Sequence, residues 1–267
     1  MVKNSLEFCR VCGSAECTEE FQVRGCAIFR CLDCESLFVA RSVSPPVYNE
    51  DYFTGDVYAS YQNDPAVHKN AQNLLDELSI NLLPGSSLFE VGAATGVFME
   101  KAVQRYSAQG VEISPYASEQ ARNRGLDIQT GTIEDVQGEN RFDGIVAWDV
   151  LEHLEDPGDF AKHVYRLLKP KGFFLAHTVN IDSAFVKMMG KRWHQFYPPY
   201  HLSFFSIRGA TMMLHNAELN PVSLTSKGAF RSVGAFAARY FPSIKKLSNF
   251  GFNINLGDLM LIVARKP

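Results

Sequence analysis

The stretch Leu88-Phe89-Glu90-Val91-Gly92-Ala93-Ala94-Thr95-Gly96 says more about the fold of this 267-residue chain than any other segment. Its apolar start, Ser87–Val91, predicts a short buried strand. The two glycines predict a tight turn in which the backbone can approach a ligand closely. Thr95 is placed to cap a helix over about 97–106, and the N–H groups at a helix start favour an anionic or carboxylate-bearing ligand. The stretch therefore predicts a strand–turn–helix unit with a ligand site at the turn.

A second acidic residue follows the first at a spacing that is typical of nucleoside binding. Glu112 stands 22 positions after Glu90 and belongs to a second apolar strand, Ala108–Ile113. A carboxylate in that position can accept both hydrogen bonds of a ribose diol. The loop lacks the Lys-Ser/Thr ending of a phosphate-binding P-loop. Ala94 also interrupts the three-glycine pyrophosphate fingerprint, so NAD is a poorer fit than another nucleoside cofactor.

The loop resembles the first motif of the class I S-adenosylmethionine-dependent methyltransferases, in which an acidic residue precedes three alternating glycines. Glu90, Gly92 and Gly96 match this motif, and Ala94 replaces the central glycine. An alanine is tolerated at that position if its φ angle is negative, and it is strained if φ is positive. The backbone conformation at residue 94 therefore determines what the replacement costs.

The resemblance covers roughly residues 45–225, because later segments match the family's motifs in the proper order. These segments are the strand and turn at 142–154, the turn at 167–173 and the segment 201–206. The resemblance implies an α/β, Rossmann-like class I fold with seven strands in a mostly parallel sheet and an antiparallel last strand. Independently, the alternation of strand and helix patterns over 87–178 predicts a parallel sheet with helices on both faces.

The expected cofactor site lies where the strands end. Ligands of doubly wound sheets bind beyond the carboxyl ends of the strands, near the point where the strand order reverses. By resemblance, the glycine loop would contact the methionine part of the cofactor, Glu112 the ribose, Thr132 and Ile133 the adenine, and Asp149 the sulfonium side. Core packing is the alternative role for Ile133. The expected cofactor-binding residues are Glu90, Gly92, Ala93, Gly96, Glu112, Ile113, Thr132, Ile133 and Asp149.

Histidine is the natural candidate for the base that an acceptor hydroxyl or an acidic C–H requires. His153 follows the fourth strand, and His201 begins a His-Leu-x-Phe-Phe-Ser segment that the resembled subgroup also shows. We predict His201 and His153 as the catalytic candidates, ahead of His177 and His194, with a purely structural role open for each. Tyr197-Pro198-Pro199-Tyr200 follows the fifth strand, whereas the motif of amino-base methyltransferases stands after the fourth. That activity is therefore not expected.

Two Cys-x-x-Cys pairs near the N-terminus predict a metal site. They are separated by 18 residues and flank a candidate hairpin, Phe21–Arg30. Four thiolates at this spacing suit tetrahedral Zn²⁺. A module of about 40 residues buries little core, so metal ligation would supply the missing stability. Disulfides and a redox pair are the rival interpretations. The predicted zinc ligands are Cys9, Cys12, Cys31 and Cys34.

The chain is thus expected to hold a zinc ribbon-like module over 1–42 and a methyltransferase domain over 43–267. The domain would carry an aromatic insertion at 180–205 and a basic, aromatic cap at 227–257. A group of aromatic residues before the core is placed to fold over the cofactor as a lid. These residues are Tyr52, Phe53, Tyr58 and Tyr61.

The composition and charge of the chain limit the kinds of partner that it is expected to bind. The net charge is −3, and residues 1–40 carry four basic and six acidic side chains, so nucleic-acid binding is not expected. The chain contains no apolar run long enough to span a membrane and no apolar signal core, and the paired cysteines favour a reducing cytoplasm.

The sequence predicts a methyltransferase that uses S-adenosyl-L-methionine and structural Zn²⁺ and acts on O or C of a small molecule. A sugar, a nucleotide sugar or a natural-product intermediate would fit, including an acidic or carrier-tethered one. The alternatives are an RNA or protein methyltransferase that uses the ribbon for recognition, and a catalytically silent cofactor-binding module. The acceptor and the oligomeric state stay open.

Overall fold

The computed structural model describes residues 8–44, 46, 48–55, 64–232 and 251–267. Strands β1 to β13 are Cys17–Val23, Cys26–Cys31, Leu37–Val39, Ser87–Val91, Ser107–Glu112, Ile128–Thr130, Phe142–Trp148, Leu168–Val179, Ser203–Phe204, Asn220–Ser226, Ala229–Ser232, Gly251–Ile254 and Leu259–Arg265. Helices α1 to α7 are Glu50–Thr54, Pro65–Asn81, Met99–Ala102, Pro115–Asn123, Pro157–Leu167, Ala184–Met189 and Ile207–Asn216. Single 3₁₀ turns occupy Ile133–Asp135, Leu151–His153 and Gly190–Arg192.

The main sheet has seven strands in the order β10-β13-β8-β7-β4-β5-β6. Strands β6, β5, β4, β7 and β8 run parallel, and β13 is antiparallel to both of its neighbours, β8 and β10. This arrangement confirms the predicted Rossmann-like α/β fold. The strand order reverses between β4 and β7, so the crevice beyond their carboxyl ends is where a ligand is expected.

Apolar faces on both sides of the sheet hold it in place. Helix α2 begins after Asp64, whose carboxylate accepts the N–H of Ala66 at 2.8 Å, and it buries Leu74, Leu75 and Leu78. Helix α7 begins after Ser206, whose hydroxyl oxygen accepts the N–H of Gly209 at 2.8 Å. Both helices combine a polar cap with one buried stripe, which is the pattern of helices packed on a sheet.

The helix after the glycine loop is much shorter than expected. The prediction of a helix over 97–106 capped by Thr95 is wrong, because α3 covers only Met99–Ala102 and its N-terminal flank is Phe98, without a side-chain cap. The conformation of the loop explains the later start of the helix. Gly96 has φ +91°, which is incompatible with a right-handed helix, so the helical conformation starts later along the chain.

The cysteine module, residues 8–42, forms the predicted hairpin from β1 and β2, with β3 alongside. Its sheet has a fourth strand that comes from the aromatic insertion, because β3 pairs antiparallel with β9. Buried residues of the module, including Cys9, Cys34 and Phe38, also belong to the same apolar cluster as Leu151 and Phe205. The module thus packs into the rest of the chain, and the division at residues 42 and 43 stays a prediction.

The described ends of the predicted cap, 227–257, contain two short strands. At its two ends, β11 and β12 pair antiparallel, and Asn70 of α2 makes two hydrogen bonds to the backbone of Phe230. Residues 233–250, which include most of the basic side chains of the predicted cap, lie outside the described residues. Tyr58 and Tyr61 of the predicted lid also lie outside them. Within the described ranges, none of the helices has the length and apolar character that crossing a membrane requires.

Candidate active site

The crevice at the carboxyl ends of the strands has two sides. We call Glu90–Gly96, Glu112–Ser114 and Thr132–Ile133 the glycine-loop half, since all follow or end β4, β5 and β6. We call Asp149–Glu155, His177 and Tyr197–Leu202 the histidine half. The two meet at the switch point, where the sheet reverses its strand order.

Glu112 holds the glycine loop in its conformation. Its Oε2 accepts the N–H of Ala94 at 2.8 Å, and its Oε1 accepts the N–H of Ser114 at 2.9 Å. Burial raises the pKa of this carboxyl, while the backbone N–H donors oppose that rise. A carboxylate has about four acceptor positions, so two more remain for the hydroxyls of a ribose.

The central position of the loop adopts a positive φ angle. Ala94 has φ +49°, in the left-handed region that favours glycine. Ala94 is therefore in the strained conformation for an alanine. The left-handed conformation costs a residue with a Cβ about 1–2 kcal/mol. The hydrogen bond from its N–H to Glu112 offsets part of this cost.

The two glycines of the loop, Gly92 and Gly96, are required by the protein's own packing. Gly92 has φ +72°, and a Cβ there would lie 2.6 Å from Cγ2 of Val150. Gly96 has φ +91°, and a Cβ there would lie 2.3 Å from Cδ1 of Leu126. The contact between Gly92 and Val150 brings the glycine loop directly against the histidine half.

Two residues of the glycine-loop half have the environment of ligand contacts. Glu90 is 2% exposed, and among the described residues its Oε2 lacks a hydrogen-bond partner. Burial and, secondarily, the charge of Glu112 raise its pKa well above the usual value. Ile113 is 55% exposed although it follows a buried strand, so it offers an apolar surface beside Glu112. A cationic group near Glu90 would pair with its buried carboxyl group. A flat apolar ring against Ile113 would cover the exposed side chain.

The other residues predicted for the cofactor are placed differently. The backbone of Thr132 is held by Asp135, because Oδ2 of Asp135 accepts the N–H of Thr132 at 2.8 Å. Ile133 is 1% exposed and belongs to the main apolar cluster, which is the core role that the sequence left open. Ala93 is 4% exposed, and its N–H donates to the carbonyl of Val111 at 3.1 Å.

A close carboxylate–imidazole pair lies in the histidine half. Asp149 Oδ1 is 2.5 Å from His177 Nδ1, and the N–H of Asp149 donates to the carbonyl of His177 at 3.0 Å. Asp149 has φ +54°, a conformation that Asp tolerates better than most residues, so its side chain turns towards β8. Residues in this region of backbone space cluster at functional sites.

A buried carboxyl lies next to this pair. Glu152 is 2% exposed, and its Oε2 accepts the hydroxyl of Thr178 at 2.9 Å. Burial, reinforced by the charge of Asp149, raises the pKa of Glu152 to about 8. Burial therefore favours the protonated form of Glu152.

His153 and His201, the predicted catalytic candidates, lie together on the far side of this pair. Their rings are perpendicular, with centroids 4.7 Å apart, and their ligand atoms lie within 4.8 Å of those of Glu152. Each Nδ1 is 2.8 Å from a backbone carbonyl, that of Tyr200 for His153 and that of Gln195 for His201. Burial lowers the pKa of both, to about 3 for His201, so both rings are neutral at physiological pH.

Aromatic residues close the crevice. Tyr52 of α1 stacks on Tyr200 with centroids 5.8 Å apart, and the hydroxyl of Tyr48 lies 3.0 Å from Nδ1 of His153. On the glycine-loop side, the rings of Phe53 and Tyr116 lie with their centroids 6.3 Å apart. Helix α1 therefore bridges both halves of the crevice, in the position that the lid prediction requires of its first two residues.

The four predicted zinc ligands converge. Their sulfur atoms lie within 4.8 Å of one another, with Cys9 to Cys34 at 3.6 Å and Cys12 to Cys31 at 3.5 Å. Zn–S bonds of about 2.3 Å in a tetrahedron place sulfur atoms about 3.8 Å apart, so the thiols fit Zn²⁺. The same distances exclude disulfides within either sulfur pair, because an S–S bond measures about 2.05 Å.

Sequence reasoning missed the pairing of His177 with Asp149. It ranked His177 behind two other histidines and assigned Asp149 to the cofactor. One signal was available, since His177 ends the fifth strand and Asp149 ends the fourth, and neighbouring parallel strands bring such ends together.

A protein-family model matches more than half of this chain, and curated relatives match a shorter part of it. The model of the methyltransferase domain family matches residues 61–224. A ubiquinone biosynthesis O-methyltransferase of Bradyrhizobium diazoefficiens is 30% identical over 128 residues, which are 45% of this chain and 49% of that protein. A second, of Nitrobacter winogradskyi, is 34% identical over 110 residues, 38% of this chain and 42% of that protein. The chain thus spans about half the length of the curated relatives it matches.

A solved structure shares the fold at low sequence identity. It is an S-adenosylmethionine-dependent methyltransferase of Thermotoga maritima, described as a possible histamine N-methyltransferase. The TM-score is 0.58 at 22% identity, over 80% of this chain and 98% of that one. This likeness concerns the architecture of the sheet and its helices.

Proposed function

The chain belongs to the methyltransferase domain family, and we propose that it transfers a methyl group from S-adenosylmethionine to an oxygen of a small-molecule acceptor. The pairing of Asp149 with His177 at the switch point carries this proposal, because a hydroxyl acceptor needs a base at the methyl-transfer position. The relatives named as O-methyltransferases support the same chemistry.

The glycine-loop half would bind the methyl donor. S-adenosylmethionine supplies an activated methyl group on a positively charged sulfur. Glu112 would accept hydrogen bonds from the ribose hydroxyls, and Ile113 would pack against the adenine. Glu90 lies buried behind the loop, where its orphaned Oε2 would accept a hydrogen bond from the amino group or from an ordered water molecule. The left-handed φ angles of Gly92, Ala94 and Gly96 give the loop the curvature for this close approach.

We propose His177 as the base and Asp149 as the residue that orients it. Asp149 fixes Nδ1, so Nε2 of the same ring is the atom that would take the acceptor's proton. The acceptor oxygen would form a bond to the methyl carbon while the bond from that carbon to sulfur breaks, which releases S-adenosylhomocysteine. A nearby carboxylate also stabilises the imidazolium that results. His153 and His201, whose pKa values are lowered by burial, are better suited to lining the acceptor's binding site than to removing its proton.

We further propose that the four cysteines bind one structural Zn²⁺. The site would have no open coordination position, which is typical of zinc that stabilises a fold. Because metal ligation contributes directly to the folding free energy of small modules, zinc would hold β1–β3 against the rest of the chain.

Calorimetry with S-adenosylmethionine and with S-adenosylhomocysteine tests the donor site, and absence of binding by both ligands would overturn the proposed function. The acceptor can be sought by incubating the protein with methyl-labelled S-adenosylmethionine and a small-molecule extract, and then identifying labelled products. The same extract and labelled donor incubated without the protein serve as the control, since any label that appears there comes from another source. Isolation of a labelled product with a new C–O bond would establish O-methylation, and a new C–C or C–N bond would contradict it.

A further inference from the structure

Arg10 lies between two of the predicted zinc ligands, Cys9 and Cys12, and it is 3% exposed. Its guanidinium donates to the carbonyls of Val39 at 3.1 Å, Ala40 at 3.2 Å and Val43 at 3.0 Å. A fourth donation, from Nη1 at 3.2 Å, reaches the carbonyl of Glu155. A buried guanidinium whose N–H groups donate to backbone carbonyls fixes the position of every chain segment that it contacts.

The contact to Glu155 ties the first Cys-x-x-Cys turn to the histidine half. Glu155 follows the 3₁₀ turn Leu151–His153, which carries Glu152 and His153, and it precedes the cap of α5, Asp156. Arg10 thus fixes the exit of the turn whose side chains line the crevice.

A second connection runs through Leu202, which follows His201. The N–H of Val39 donates to the carbonyl of Leu202 at 2.9 Å, and the N–H of Leu202 donates to the carbonyl of Glu152 at 2.7 Å. Leu202 is fully buried, so both bonds are shielded from water. The backbone of β3 is therefore linked in two steps to the turn that carries Glu152.

The second Cys-x-x-Cys turn makes a third connection. The hydroxyl of Ser206 donates to the carbonyl of Cys34 at 2.5 Å, and the N–H of Ser206 donates to the hydroxyl of Ser36 at 3.2 Å. Ser206 caps α7 and follows the His201–Phe205 segment. Both turns of the metal site therefore contact a segment that bears a candidate active-site histidine.

We infer that Arg10 is a positioning residue through which the zinc-bound module holds the acceptor side of the active site. The glycine-loop half is built differently, from neighbouring strands and from the Glu112 carboxylate. The zinc module would therefore control the placement of His153 and His201 while leaving the donor site intact. This inference rests on the proposed function, because it assigns the histidine half to the acceptor.

The variant Arg10→Lys tests this in the full-length protein. Lysine keeps the charge but cannot reproduce the planar set of donors. Arg30→Lys is the matched control, because Arg30 lies in the same module but forms an exposed pair with Glu20 at 2.9 Å. For Arg10→Lys we expect an unchanged zinc content and S-adenosylhomocysteine affinity. Hydrogen–deuterium exchange over 150–156 and 200–203 should become faster by about ten-fold or more, since local opening determines the rate.

Nuclear magnetic resonance of the histidine rings gives a second signature. The resonances of His153 and His201 should shift in Arg10→Lys and stay in place in Arg30→Lys. Unchanged exchange and unchanged histidine resonances in a folded, zinc-bound Arg10→Lys variant would overturn the inference.

Zinc removal from the unmodified protein covers the case in which Arg10→Lys does not fold. After treatment with a chelator, faster exchange over 150–156 with retained S-adenosylhomocysteine binding supports the inference. Loss of S-adenosylhomocysteine binding together with the zinc would overturn it, because the metal would then support the whole fold. If the untreated, zinc-loaded protein binds neither S-adenosylmethionine nor S-adenosylhomocysteine, the proposed function fails, whereas the exchange comparison still reports on the link between module and turn.

Discussion

The two halves of the crevice are built from contacts of very different reach. In the glycine-loop half, Glu112 binds the backbone of Ala94, 18 residues earlier in the chain. In the histidine half, Arg10 binds the carbonyl of Glu155 across 145 residues. Next to this half, Leu37 of β3 pairs with Phe204 of β9, 167 residues later in the chain. The first half is therefore largely specified by a local βαβ unit, whereas the second depends on docking of the cysteine module.

The largest effect is expected at the metal site, on which the histidine half depends. Cys31→Ser should reduce the metal content by about one zinc per chain and destabilise the module by several kcal/mol, because metal ligation contributes to folding outright. Elemental analysis and thermal unfolding measure both effects. Cys26→Ser is the control, as Cys26 lies outside the four-sulfur cluster. A zinc content that Cys31→Ser leaves unchanged would contradict the ligand set.

The next effect concerns the base. His177→Gln should lower the rate of methyl transfer by about 10²–10⁴-fold, which is what a positioned base contributes, while leaving S-adenosylhomocysteine binding intact. The rate is measured as label transfer to the acceptor found in the extract. His215→Gln, at an exposed position of α7, is the matched control. A full rate in His177→Gln would remove His177 from the mechanism and return the question to His153 and His201.

A substitution in the glycine loop probes the locally built half. Gly96→Ala should cost about 2–4 kcal/mol of unfolding free energy, from a left-handed alanine and a Cβ 2.3 Å from Leu126. Gly125→Ala isolates the backbone contribution, because Gly125 has φ +82° and nothing within 4 Å of an added Cβ. Chemical denaturation of both variants separates the cost of the left-handed backbone from the cost of the contact between the added Cβ and Leu126. Equal losses in the two would show that the contact with Leu126 relaxes.

The pH dependence of stability tests the buried carboxyl of the histidine half. The folded pKa of Glu152, about 8, lies above its ordinary value of 4.5. Its contribution is therefore fully present below pH 4.5 and is lost as the pH rises through 8. Glu152→Gln should match the wild type near pH 4 and become progressively more stable than the wild type as the pH rises from 4.5 to 8. Denaturation at several pH values checks this, with the exposed Glu155→Gln as control. A difference that is constant with pH would show that Glu152 does not titrate in this range.

The smallest effect, and the only stabilising one in the glycine-loop half, is expected at Ala94. Ala94→Gly should raise the unfolding free energy by about 0.5–1 kcal/mol, because relief of the left-handed strain exceeds the entropy that glycine adds to the unfolded chain. Ala93→Gly, which lacks that strain, should destabilise the protein instead. Denaturation of the pair gives the answer, and a destabilised Ala94→Gly would show that the alanine methyl group contributes packing.

The sequence by itself determined the parts of this protein that follow from local patterns. Alternating apolar strands and amphipathic helices predicted a parallel sheet with helices on both faces, since such a pattern buries each apolar face, and the family resemblance implied its seven strands. The spacing of Glu90 and Glu112 and of the two Cys-x-x-Cys pairs located the two expected ligand sites. Helix α3 was mispredicted because the φ angle of Gly96 delays its start, which helix propensity does not reveal.

The tertiary structure decided the left-handed conformation of Ala94, the pairing of Asp149 with His177, and the attachment of the cysteine module through Arg10 and β9. Each of these depends on which segments become neighbours in space. The sequence does not show which donor will pair with which acceptor when the two are more than a hundred residues apart. Burial selects that partner, because an unpaired polar group in the interior costs free energy that only a correctly placed neighbour offsets.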